Sequence, residues 1–215
     1  MPLPLEQRFR KELVVLEELF SEAQVRECLS RLDEIHRRTE AKWREYVEQL
    51  RGGRVNYLLI AEAPPWSDTG SPQYVLDPRS RPRTLMRALR KVFSVPEHSD
   101  SEEALAVFAC RGFLMVDSIP FSMNYSRKRG KPQYKELVSL TARTYLQAKL
   151  KSESLRWSRN AGIAFSVKRN AFAVKQALSG KVDLKGRRHR LSPKMIAVNG
   201  AGYPDADKLR KIWGI

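Results

Sequence analysis

The chain opens with apolar residues at helical spacing. Leu5, Phe9, Leu13, Leu16 and Phe20 recur every three or four positions and predict a first helix with one apolar face. Ser21 followed by Gln24 forms a capping box for a second helix. That helix carries Val25, Leu29, Leu32, Ile35, Trp43, Tyr46, Val47 and Leu50, and it is expected to stop at Gly52-Gly53. Residues 1–53 therefore read as a helical segment.

From residue 54 short apolar runs alternate with amphipathic stretches. The runs at 55–63, 112–119, 163–167 and 195–198 predict strands. Between and after them, helices are expected over 82–93, from a cap at Ser99 with Glu102 to Cys110, over 134–150, from a cap at Asn170 to Gly180, and over 205–213. Residues 181–190 read as a basic loop or hairpin. Strands apolar on both faces, separated by helices long enough to cross over, indicate a parallel sheet covered on both sides. The fold expected is α/β, a three-layer α/β/α sandwich with a central, mainly parallel sheet of about four strands after the N-terminal helices. Residues 1–215 are read as a single domain, with 54–215 as its α/β core.

Charge changes the picture. The net charge is +16, but residues 1–126 hold 18 Lys/Arg against 19 Asp/Glu, whereas residues 127–215 hold 22 against 5. The balance is −1 in the first part and +17 in the second, the footprint of a polyanion-binding face. Two cysteines, Cys28 and Cys110, and three scattered histidines, His36, His98 and His189, offer no zinc or iron–sulfur ligand spacing, so no metal or other cofactor is expected. No run approaches the length of a membrane span, and the expectation is a soluble, cytoplasmic monomer without a membrane partner. No phosphate loop, dinucleotide fingerprint or nucleophile elbow occurs.

Ligands of open α/β sheets bind beyond the carboxyl ends of the strands. Those ends carry Glu62-Ala63-Pro64-Pro65, Asp117-Ser118, Lys168-Arg169-Asn170 and Asn199-Gly200-Ala201-Gly202-Tyr203-Pro204. With Ala61-Glu62-Ala63-Pro64-Pro65 after the first strand, Gln73-Tyr74-Val75 in the following loop, the basic loop 120–131 and the last loop 199–204, the chain resembles the uracil-DNA glycosylase superfamily. It departs from that pattern in Ala61 for a glycine, Asp117 for the base-reading asparagine and Asn199 for the histidine of the last motif. It also lacks the cluster cysteines of the thermophilic branch.

The resemblance implies a DNA glycosylase that flips a deaminated base and hydrolyses its N-glycosidic bond. Glu62 and Asn199 would be catalytic, Glu62 orienting water or offsetting positive charge on the sugar. Ala63, Pro64, Tyr74 and Asp117 would hold the base, with Tyr74 stacking on it and Asp117 reading its edge. Arg127, Lys128, Arg129, Lys131, Lys168, Arg187, Arg188, Arg190, Gly200 and Tyr203 would contact DNA, with RNA as the alternative polyanion. The residues also admit plainer roles: Glu62 as an ion-pair partner at the loop mouth, Tyr74 as core cover, Asp117 as a partner of Lys168 or Arg169, and 199–204 as a turn. A non-catalytic nucleic-acid-binding protein on the same fold, or a metal-free enzyme acting on nucleotides or RNA, stands beside the glycosylase reading.

Overall fold

The computed structural model describes residues 4–50, 54–66, 74–79, 83–198 and 204–215. The first helix is broken at Phe9, whose backbone (φ −126°, ψ 37°) separates α1 (Leu5–Arg8) from α2 (Arg10–Phe20). Ser21 then takes φ 95°, and its hydroxyl accepts from Gln24 N at 3.4 Å to start α3 (Glu22–Gln49). α3 buries Val25, Leu32, Ile35, Trp43, Tyr46 and Val47 along one face. Near its end Tyr46 Oη donates to the Phe113 carbonyl at 3.0 Å, tying the helix to the sheet.

Three strands, β1 (Arg54–Ala61), β2 (Phe113–Asp117) and β3 (Arg156–Phe165), form a parallel sheet in the order β2-β1-β3. The central β1 has Val55, Leu58, Leu59 and Ile60 fully buried, as a parallel strand covered on both faces requires. β3 begins earlier than its apolar run, because Arg156 and Trp157 pair with Arg54 and Val55 before an irregularity that resumes at Tyr57↔Gly162. A polar opening half hid this strand from the hydrophobic pattern.

The expected fourth strand does not form. Residues 195–198 contribute one parallel bridge, Ile196↔Phe165, and Pro193–Met195 is a 3₁₀ turn. Four apolar residues entered through such a turn make one backbone bond to β3, from Ala197 N to the Phe165 carbonyl, before Asp205 N bonds to Ala197. Residues 181–190 form an antiparallel hairpin, β4 (Lys181–Leu184) and β5 (Arg187–Arg190). Its two-residue turn, Lys185-Gly186, has φ 54° and 87°, the positive values of a type I′ turn.

The helices after β1 are α4 (Arg83–Phe93), α5 (Ser101–Arg111), α6 (Pro132–Thr141) continued through a π-turn (Ala142–Leu146) into α7 (Gln147–Leu150), α8 (Lys168–Ala177) and α9 (Ala206–Trp213). Two expected caps are corrected. Asp100, not Ser99, caps α5 by accepting from Glu103 N at 2.7 Å. Asn170 lies inside α8, whose N-cap Val167 has no side-chain cap bond. Within the fold, α2 packs on α3 and α6, and α6 on α8; α4 packs on α5 and α9, α5 on β2 and α9 on β3. One apolar cluster runs from Leu5 through the sheet to Trp213, so the N-terminal helices share the core of the sheet.

Candidate nucleic-acid interface at the strand ends

Because the three strands are parallel, the residues after Ala61, Asp117 and Phe165 emerge at one end of the sheet. Glu62 is the hub there. Its carbonyl accepts from Ile119 N at 2.8 Å and from Ser118 Oγ at 3.0 Å. Its carboxylate is gripped by Arg129, with Nε to Oε1 at 2.7 Å and Nη2 to Oε2 at 2.6 Å, and Tyr134 Oη donates to Oε1 at 2.6 Å. Burial and the Glu62 charge push the Tyr134 phenol well above the ordinary tyrosine range, so it stays a donor. From α8, Asn170 Nδ2 donates to Ser118 Oγ at 2.6 Å, while Asn170 Oδ1 is buried without a partner among the described residues.

Asp117 occupies the other side of this junction. It is 2 % exposed, and among the described residues its Oδ1 has no hydrogen-bond partner. Its carboxyl is pushed up to about 7, first by burial, with Glu40 and Glu62 adding and Lys149 opposing. Among the described residues no ion pair joins it to Lys168 or Arg169. Tyr74 is equally buried at 2 %. Pro64 is buried and Ala63 half-buried. Three surface clefts among the described residues, of about 420, 580 and 630 Å³, are lined by none of Glu62, Tyr74 or Asp117.

Beneath Asp117 lies a polar cluster that sequence reasoning missed. Lys149 Nζ is 2.6 Å from Glu40 Oε1, Tyr145 Oη donates to the same oxygen at 2.7 Å, and the ammonium lies 4.4 Å from the Trp43 ring centroid. Burial alone would raise the Glu40 carboxyl, but Lys149 and Tyr145 outweigh it and hold it below the usual range. His36 packs edge-on against Phe9, neither ring nitrogen is bonded among the described residues, and burial drives it down to about 4. The one sequence signal was a lysine flanked by apolar residues in Tyr145-Leu146 and Leu150.

The basic residues divide into two groups. Arg127, Lys131, Lys168 and Arg169 are exposed at the strand-end side, and Lys128 lies half-buried over the Phe20 ring at 5.1 Å. Arg129 is committed to Glu62, so it positions the loop instead of offering a free charge. Arg187, Arg188 and Arg190 are exposed but belong to the opposite end of the sheet. The hairpin turn residue Lys185 donates to the Glu153 and Leu155 carbonyls just before β3 begins, and Lys151 pairs with Asp183 at 3.1 Å. The structure thus does not unite the two basic clusters in one surface. Asn199, Gly200 and Tyr203 lie outside the described residues.

No family model, no curated protein and no solved structure matches this chain. Among the described residues, no group of three or more His, Cys, Asp or Glu side chains is placed to hold a metal ion, and no helix is long and apolar enough to cross a membrane.

Proposed function

We propose that this protein binds nucleic acid through the loops at the carboxyl ends of its parallel strands. The observation that carries this reading is the Glu62–Arg129 grip. It anchors the loop 120–131 to β1, with Gly130 against the Arg169 guanidinium and with Arg127, Lys131 and Lys168 exposed. Cations held on a rigid frame lose less freedom when they meet phosphates, and counterion release supplies the affinity. With both oxygens of Glu62 bonded and Asp117 enclosed, binding without base cleavage fits the geometry better than excision. DNA is the first expected polyanion and RNA the second.

Base excision of the kind the motifs resemble is the second reading. It is favoured by Asp117, whose raised value leaves a proton available near neutral pH, so that the carboxyl can donate as an asparagine amide does. That reading also takes the two helix groups as the outer layers of a three-layer sandwich, with 195–198 as a reduced fourth strand.

Two measurements test these readings, the first their shared nucleic-acid binding and the second the choice between them. Anisotropy titrations of single- and double-stranded oligonucleotides over a range of salt should show steep weakening with ionic strength; affinity indifferent to salt overturns nucleic-acid binding. Incubation with oligonucleotides containing uracil, hypoxanthine or xanthine, followed by alkaline cleavage, should leave the strands intact on the first reading and cut them on the second.

A further inference from the structure

A cleft of about 420 Å³ lies beside the basic loop, lined by Phe20, Gln24, Glu27, Cys28, Arg31, Trp66, Met123 and Asn124. Its walls come from the end of α2, the first part of α3 and the segments that follow β1 and β2. Ser122 Oγ donates to the Pro65 carbonyl at 2.8 Å and joins those two segments. We infer that this cleft accepts one unpaired base of a single-stranded nucleic acid, an assignment that rests on the nucleic-acid reading above and names the form of its ligand.

Three features of the cleft carry the inference. First, it has flat and soft walls. The Arg31 guanidinium lies 4.5 Å from the Trp66 ring centroid, and Cys28 Sγ and Met123 Sδ, 3.9 Å apart, form an apolar side. A cation stacked on an indole is a surface against which any base can lie, because every base has a π-face.

Second, it has unused donors and acceptors. Among the described residues Arg31 Nε and Nη2 have no hydrogen-bond partner and lie out of solvent, so a base or phosphate oxygen meets them once the guanidinium turns toward the cleft. Asn124 uses its Oδ1 to hold Ser126 N and Oγ at 3.2 and 2.6 Å, which fixes the side chain at the rim. Glu27 can accept from an exocyclic amine.

Third, the cleft adjoins the phosphate contacts. Lys128 lies over Phe20, a wall of the cleft, and Arg127 is the neighbouring exposed cation. A strand whose phosphates follow the loop therefore brings a base to the mouth. A paired base has its edge already occupied and its faces stacked, so the occupant is single-stranded.

The test compares a strand of about 12 nucleotides with a strand of equal charge that carries abasic tetrahydrofuran residues instead of bases. The wild-type protein should bind the base-containing strand at least about tenfold more tightly. Trp66→Ala should remove that preference and leave abasic binding unchanged, and Trp66→Tyr should restore most of it. Joint charge reversal of Arg127 and Lys131 should weaken both strands by the same factor. Equal wild-type affinity for the two strands, with salt dependence retained, overturns the base cleft and leaves electrostatic binding in place. No binding of either strand overturns both. Competition by uridine monophosphate as strong as that of the strand overturns the strand as occupant in favour of a free nucleotide.

Discussion

The guanidinium of Arg129 holds both carboxylate oxygens of Glu62, 67 residues earlier in the chain, while Tyr134 Oη bonds one of them. Their side chains are 33 % and 11 % exposed, so this is a part-buried, bidentate pair in which solvent screens only one partner well. Glu62→Ala leaves a cation and a buried phenol without their acceptor, and a loss of about 2 kcal/mol in urea unfolding is expected. In a double-mutant cycle with Arg129→Met, the second substitution should restore part of that loss. Strict additivity would show that the two residues act independently.

Asp117 and His36 give stability two opposite pH slopes. The Asp117 carboxyl rises from 3.8 to about 7 on folding, so the native state holds a proton that the unfolded chain releases. Its contribution is complete below pH 3.8 and is lost as the pH rises through about 7. The His36 imidazole falls from 6.5 to about 4, so its contribution is complete above pH 6.5 and is lost as the pH falls through about 4. Each shift corresponds to roughly 3–4 kcal/mol at most, and between pH 4 and 6.5 the two slopes oppose each other. Thermal unfolding of the wild type should therefore be flat in that window. Asp117→Asn should expose a curve that rises with pH, and His36→Phe one that falls. A wild-type curve as steep as that of either variant would contradict this balance.

The two basic clusters should act separately. Reversing Arg127 and Lys131 should weaken a short oligonucleotide and reduce its salt slope by about one per lost phosphate contact. Reversing Arg187, Arg188 and Arg190 should leave that short strand's affinity within twofold, roughly the error of a titration, because the hairpin lies at the other end of the sheet. Anisotropy titrations at several salt concentrations check both; an equal effect of the two sets on the short strand would place them on one face.

Gly112 closes α5 with φ 77°, and a Cβ there would stand 2.9 Å from the Arg54 carbonyl and 2.6 Å from Asn56 Nδ2. Gly112→Ala combines an unfavourable backbone with a collision against the start of β1, and should cost about 1–3 kcal/mol. Urea denaturation measures it, and an unchanged midpoint would contradict the close approach.

Local chemistry made the start of α3, the cores of β1 and β2 and the last helix legible from the residues alone, and left 181–190 open between a loop and a hairpin. A serine directly after an apolar face and a continuous apolar run each act over a few residues, so their consequences are written in order along the chain. The division of charge at residue 126 is also a property of the chain itself.

What the strand-end residues do was decided only by distant partners. Glu62 reads equally as a catalytic carboxylate or an ion-pair partner until α6 and the loop before it bring Tyr134 and Arg129 against it. Asp117 is an exposed base reader or an enclosed acid according to whether helices 60–100 residues away in sequence, such as α3 with Glu40, close over it. Asn170 has the composition of a cap, yet packing turns it inward to Ser118. The basic hairpin is carried to the far end of the sheet by the direction of α8, which charge counting does not see. Burial and pairing arise from contacts between segments far apart in the chain, and those contacts exist only once the sheet and its helices have closed.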